Sequence, residues 1–405
     1  MRFLFVTHPA LGHFHPMVPF GRALQRAGHE VRVACARPFC STALAAGFEA
    51  TPAGVDWLES DFAQTFTDIA SHVASGQRLR MLSDLFADTA AASMVPDLRD
   101  ACVTWEPDAL VRIDYEFGSC IVAELLGIPL ATIAIGSGLP LALWRSVVGR
   151  PLTYLRQRWG LPGAASPQWV SGQLCLSLVP RVYHQPGVQP SRNTHHVRID
   201  AFDDHEDAMS VAWPRDRSRP HVYVSLGTVF NRHRAVLQHV VDVLSTMPVE
   251  ALVTVGPGGD RLYGDVPPHI SVATYVPQST VMPFCALVIT TGGFNTVLGA
   301  LGNGVPLLLL PFAADQFEHA SRCAELGVGR SLESRRTADG RLVEPSIADI
   351  RCAIEEMIHD PGYRRQAQRI REEILSLETA EDAVRLLVAV ASDRARLPAA
   401  GVRRS

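Results

Sequence analysis

Between residues 286 and 316 the chain gathers the groups best suited to hold an anion. An apolar run at 286–289 ends in Thr290, Thr291, Gly292 and Gly293, and helical spacing then takes over at Val297, Leu298 and Leu301 before Gly302 and Gly304 stop it. A small-residue turn that opens a helix lets backbone N–H groups approach a phosphate closely, and the positive end of the helix dipole favours the charge. Asn295 and Thr296 add side-chain donors in the first turn. A second apolar run, 305–310, reads as a parallel strand covered on both faces, which puts Asp315 and Gln316 at its carboxyl end, where such sheets bind ligands. The alternative is an ordinary packing unit whose glycines only make the turn.

For acid–base chemistry the candidate is His13. It lies in the loop 7–15 after the apolar run 3–6, and an imidazole at such a strand edge accepts a proton at neutral pH. The same side chain could instead cap the following helix. His8 and His15 are close in sequence, but no carboxylate stands at ligand spacing, so no metal site is expected. Asp114 follows the run 109–113 and could be a chemical group, the N-cap of a helix over 116–126, or both.

Two doubly wound sheets are the elements that would position these residues. Apolar runs at 3–6, 30–36, 109–113 and 130–135 alternate with helical stretches that stop at Gly28 and Gly127. The first turn lacks G-x-G-x-x-G, which disfavours a tightly held dinucleotide. Residues 56–105 read as irregular helix with Trp57, Phe62 and Phe66 exposed, and 136–175 as long loops whose Trp144, Trp159 and Trp169 either wall a large apolar ligand or cover the core. The Pro-, Asp-, His- and Arg-rich stretch 180–220 reads as a connection. Strands at 221–226, 251–255 and 270–274 and a helix at 233–246 then start a second series. Helices are expected from Gln316 to Leu326, from Ser346 to Asp360, and over 363–375 and 378–391, with a disordered tail at 394–405. The expected domains are 1–212 and 213–377, followed by a helix at 378–392 and a tail at 393–405.

At 405 residues the chain exceeds one typical domain and suits two of about 200 residues. A net charge of −4, with no basic stripe, argues against a nucleic-acid partner. The eight cysteines have no metal spacing and read as reduced thiols of a cytoplasmic protein. The first apolar run is too short for a signal-peptide core, and the longest apolar region, 121–144, is broken by Glu124, Pro129, Gly136, Gly138 and Pro140, so no integral membrane segment is expected.

These motifs together resemble the donor signature of the nucleotide-sugar-dependent glycosyltransferases that decorate natural products, in the macrolide and plant secondary-metabolite branches. In that signature Tyr/Trp-x-Pro-Gln precedes a His-x-Gly-x-Asn-Ser/Thr turn, then Gly-Val-Pro, then Asp/Glu-Gln. Here the parts are Tyr275-Val276-Pro277-Gln278, Thr291-Gly292-Gly293-Phe294-Asn295-Thr296, Gly304-Val305-Pro306 and Asp315-Gln316, in the same order. Two positions depart, since the family's histidine is Thr291 and a glutamate that contacts the nucleotide ribose is Gly299.

The resemblance implies the GT-B architecture, an α/β fold of two facing Rossmann-like domains with a cleft between them and a last helix that returns to the first domain. It implies an inverting transfer of a sugar from a nucleoside diphosphate, as co-substrate rather than cofactor, to a small acceptor, aromatic or polyketide-like. His13, in Gly12-His13-Phe14-His15-Pro16, would be the base, and Asp114 would hydrogen-bond it. Gly227 and Thr228 would face the nucleotide, Thr291, Gly292, Gly293, Asn295 and Thr296 its phosphates, Tyr275 would stack on the base, and Val276 would offer its backbone to the base edge. Gln278 completes that element, and Asp315 and Gln316 would bind sugar hydroxyls. Without a carboxylate at 299 the reason to prefer uridine falls away, and a dTDP-deoxysugar is expected. A sugar-nucleotide epimerase of the same fold and a non-catalytic helper protein of the same descent stay open, the second favoured by Thr291 alone.

Overall fold

The computed structural model describes residues 1–74, 77, 79–199, 213, 216, 218–226, 234–256, 266–313, 315–336 and 342–393. The chain forms two units, Met1–Phe202 with Leu377–Ser405, and Asp203–Ser376. The expected boundary at 212 and the tail 394–405 lie outside the described residues.

The first unit is built on seven strands, β1 (Arg2–Val6), β2 (Glu30–Cys35), β3 (Glu49–Pro52), β4 (Ala109–Ile113), β5 (Leu130–Ala134), β6 (Leu174–Ser177) and β7 (Thr194–His196). They pair in parallel in the order β3-β2-β1-β4-β5-β6-β7. β1 is central, with Phe5 in register with Val33 on one side and Val111 on the other. Helices cover both faces, which is why its four last residues are all buried. Pro16 lies in the 3₁₀ turn His15–Met17 that feeds the helix Val18–Arg26. The helix Ala380–Ser392, opened by a Thr379–Asp382 capping box, packs on that helix and is pinned to it by an Arg26–Glu381 ion pair.

Three parts of this unit differ from the sequence reading. The expected loops at 136–175 contain the helices Leu141–Trp144 and Arg150–Arg158 and then β6. Trp144 is buried in the main core, Trp159 and Trp169 pack against it, and the Trp169 indole N–H donates to Glu124 at 2.7 Å, so these rings cover the core. The expected connection contains β7, which completes the sheet edge. Trp57 is buried and packs on Phe62 and Phe66, because these aromatics make a small core of their own with Leu85 and Ala90.

The second unit repeats the plan with β8 (His221–Ser225), β9 (Glu250–Thr254), β10 (Ile270–Ala273), β11 (Leu287–Thr290), β12 (Leu307–Leu309) and β13 (Gly329–Ser331), parallel in the order β10-β9-β8-β11-β12-β13. Its core joins Val222, Val224, Leu287, Ile289 and Leu308 to the apolar stripes of the helices Arg234–Leu244 and Ile347–His359. Ser346 and Asp349 form the capping box of the latter helix.

In both sheets the strand order reverses at one place, between β1 and β4 and between β8 and β11. Crevices open at the carboxyl ends of strands at such a switch point, because the adjacent loops leave in opposite directions. His13 and Asp114 follow β1 and β4, and the Thr291-Gly292-Gly293 turn follows β11.

Candidate functional site

In the first unit, Val6 of β1 is in register with Arg112 of β4, so the loops leaving the two strands start side by side. Arg112 is buried and organises the second loop. It donates to the carbonyls of Asp114 at 2.9 Å, Glu116 and Val170, and to Thr132 Oγ1 at 3.1 Å. A buried guanidinium is tolerable only when its donors are so matched, and matching them fixes the 113–116 backbone.

Glu116, rather than Asp114, caps the helix Gly118–Leu126. Its carboxylate accepts the amide of Gly118 at 2.7 Å and both the amide and the hydroxyl of Ser119. Burial pushes its carboxyl above the usual range, opposed by Ser119 and Arg112. Asp114 Oδ2 instead accepts the amides of Ile135 and Gly136 at 3.1 and 3.4 Å, which hold it against the end of β5.

On the β1 side, Ala10 has extended backbone and starts the short helix Leu11–Phe14 that carries His13. The half-buried His13 ring lies 5.6 Å from His8, edge-on, 5.7 Å from Phe86 and 5.8 Å from Tyr115. His8 is buried, and its Nε2 lies 2.9 Å from the carbonyl oxygen of Tyr115, so that nitrogen carries the hydrogen. Burial first, and then the neighbouring His13, push the His8 pKa down to about 3. His8 is therefore neutral at physiological pH. Phe86, 4.6 Å from the His8 ring, belongs to a ten-residue π-helix, Met81–Ala90, a wider helix form concentrated at functional sites. Sequence reasoning weighed His8 only as a metal ligand and missed Phe86 and Tyr115. The adjacency of Tyr115 to Asp114 was the one available signal.

In the second unit, Thr291 is buried and Gly292 has φ +97°, a region closed to most side chains. Gly293 is the N-cap of the helix Phe294–Gly302, on which Asn295 is half-buried and Thr296 buried. The turn is packed directly on the Asp315-Gln316 segment, since a Cβ at Gly292 would stand 3.1 Å from the Gln316 carbonyl oxygen. Gln316 is buried, and its Oε1 accepts the amides of Phe312 and Ala313 at 2.9 and 3.0 Å. What this side chain can offer a ligand is its Nε2 donors. Asp315 Oδ2 lies 3.3 Å from Nε2 of His319, one helical turn on.

Tyr275, half-buried, and Val276, buried, follow β10 on the same carboxyl edge. Gln278 Nε2 donates to Thr296 Oγ1 at 3.1 Å, tying the 275–278 turn to the first turn of the glycine-capped helix. Gly299 lies on that helix against Met282, whose Sδ would be 2.9 Å from a Cβ at 299. Gly227 and Thr228 lie outside the described residues. Among the described residues no cluster of His, Cys, Asp and Glu is placed to hold a metal ion, and no helix is long and apolar enough to cross a membrane.

Comparison with known proteins places both halves. The family model for the N-terminal domain of erythromycin biosynthesis protein CIII-like proteins matches residues 22–168, and the model for their C-terminal domain matches 238–390. The 4'-demethylrebeccamycin synthase of Lentzea aerocolonigenes is 28% identical, with 95% of this chain and 98% of that protein covered. The elloramycin glycosyltransferase ElmGT of Streptomyces olivaceus is 29% identical over 94% and 95% of the two chains. Among solved structures, the glycosyltransferase VinC in complex with dTDP superposes with a TM-score of 0.75 at 24% identity, covering 97% of this chain and 100% of that one. The spinosyn rhamnosyltransferase SpnG complexed with thymidine diphosphate gives 0.77 at 23% identity, covering 96% and 100%.

Proposed function

The chain belongs to the erythromycin biosynthesis protein CIII-like family of GT-B glycosyltransferases, and we propose that it moves a deoxysugar from a dTDP donor to an aromatic or polyketide-like acceptor, inverting the anomeric centre. The observation that carries this reading is the close packing of Gly292 on Gln316, which makes the glycine turn and the Asp315-Gln316 pair a single surface. A diphosphate against the turn and its helix N-terminus puts the attached sugar beside Asp315 and the Nε2 of Gln316. Tyr275 stacks on the base and Val276 meets its edge. The charge that grows on the leaving diphosphate is met by Gly293, Asn295, Thr296 and the helix dipole, the largest electrostatic demand of the transfer.

His13 takes the acceptor proton as the acceptor oxygen displaces the diphosphate in line. Asp114 stabilises the imidazolium that forms. The aromatic faces of Phe86 and Tyr115 around His13 suit a flat apolar acceptor.

The test is incubation with a panel of dTDP- and UDP-sugars, with and without aromatic polyketide aglycones, following nucleoside diphosphate release and the anomeric configuration of the product. Acceptor-dependent release from dTDP-sugars with an inverted product is expected. Release from UDP-sugars alone would overturn the donor reading, and a retained configuration would overturn His13 as the base of a single displacement.

A further inference from the structure

We propose that His319 is the positioning residue that sets Asp315 for the sugar of the donor, an inference that rests on the reading of Asp315 given above. The helix Gln316–Glu325 buries Gln316, His319, Ala320 and Cys323. An imidazole on that face carries a desolvation penalty that an aliphatic side chain would not, so its polar atom needs a use. Nε2 stands 3.3 Å from Asp315 Oδ2, within ion-pair distance, while the imidazole itself is 1% exposed.

Asp315 needs the support. Its side chain is 36% exposed, and a carboxylate with that much room samples several rotamers that a sugar must then select. Engaging one oxygen from behind sets the plane of the carboxylate, and therefore the direction in which it meets ring hydroxyls. The same imidazole packs against Phe294, with ring centroids 5.8 Å apart, and Phe294 is the first residue of the helix that Gly293 caps. One buried ring thus spaces the phosphate turn from the sugar carboxylate, a separation that must match the distance from diphosphate to sugar ring.

The experiment compares dTDP with dTDP-glucose by titration calorimetry for wild type, Asp315→Ala, His319→Leu, His319→Asn and His319→Gln, with KM and kcat measured alongside. The Nε2 of glutamine takes the place of the histidine Nε2, whereas the shorter asparagine amide does not reach it, so this pair separates the donor from mere polarity even if the leucine variant fails to fold. His319→Asn and His319→Leu are expected to weaken dTDP-glucose about tenfold, raise KM more than they lower kcat, and leave dTDP unchanged, while His319→Gln restores most of the loss. Equal losses for dTDP and dTDP-glucose, or asparagine and glutamine variants that behave alike, would overturn the proposal. If Asp315→Ala itself does not distinguish the two ligands, the reading of Asp315 fails. If only Asp315→Ala does, that reading stands and the role of His319 fails.

Discussion

The Nε2–H of His8 donates to the carbonyl oxygen of Tyr115 across 2.9 Å, and this bond joins the loop after β1 to the turn after β4. Because the ring is buried and lies against His13, the native state holds His8 neutral, with its pKa lowered from 6.5 to about 3 although the bond to Tyr115 opposes the shift. Above the unfolded value neither state binds a proton, and the group contributes no pH dependence. As pH falls below it the unfolded chain is protonated and the native chain is not, so stability is lost down to the folded pKa, about 2 kcal/mol of it by pH 5. His8→Phe keeps the ring and removes the titration. Its melting temperature is expected to lie below wild type at pH 7.5, from the lost hydrogen bond, and to fall less steeply towards pH 5. Parallel curves for the two proteins would show that His8 does not carry this linkage.

His13→Ala removes the proposed base and leaves the second unit untouched. Turnover is expected to drop about 10²- to 10⁴-fold, with dTDP affinity held. Asp114→Asn makes a finer test, since the amide oxygen can still accept from Ile135 and Gly136 while the negative charge is gone. A smaller fall in kcat with an unchanged melting temperature is expected for it. Wild-type turnover in His13→Ala would remove this histidine from the chemistry.

The sequence makes the centre of each sheet legible and both edges of the first sheet illegible, for one physical reason. β1, β4, β8 and β11 are flanked on both sides and covered on both faces, so residues such as Phe3 to Val6 and Leu287 to Ile289 must all be apolar and stand out as runs. β7 is a three-residue edge strand of Thr194, His195 and His196, and β3 at the other edge ends in Pro52, so neither carries that signal. The glycine turn was readable because its chemistry is local. The burial of Trp57 depends on Leu85 and Ala90, partners brought in by folding, whereas Glu116 and Gln316 accept backbone amides two to four residues away, where several polar side chains compete for the same role.

Gly299 and Met282 give a test of nucleotide choice. The absence of a carboxylate at 299 is matched by a thioether, with Met282 Sδ 2.9 Å from where a Cβ would stand. Gly299→Glu alone therefore overpacks the helix face and is expected to destabilise by about 1–3 kcal/mol. Combined with Met282→Ala it has room, and its carboxylate can then accept from both ribose hydroxyls of UDP but from only one on dTDP. The double variant is expected to move the UDP-to-dTDP affinity ratio about tenfold towards UDP in competition binding. An unchanged ratio would mean that this face does not meet the ribose.

Gly292 and Gly293 are neighbours with opposite structural demands, and this lets the phosphate assignment be tested apart from the fold. At Gly292 the φ of +97° strains any other residue, and a methyl would meet backbone, the Gln316 carbonyl at 3.1 Å, which has no flexible end to move. Gly292→Ala should cost about 1–3 kcal/mol of stability and push the turn away from Asp315 and Gln316. Loss of affinity in that variant would prove little, because the scaffold moves with it. At Gly293 the backbone lies at φ −60°, ψ 139°, which alanine adopts readily, and nothing stands within 4 Å of the added carbon. Gly293→Ala should therefore melt with wild type. Among the described residues its methyl meets nothing, so what it obstructs is a group arriving from outside, and a phosphate held by the amides at the start of this helix must come that close. The expected result is an unchanged melting temperature with dTDP affinity reduced about tenfold or more, measured by calorimetry. An unchanged melting temperature together with unchanged affinity would place the diphosphate elsewhere and take the glycine turn out of the donor site.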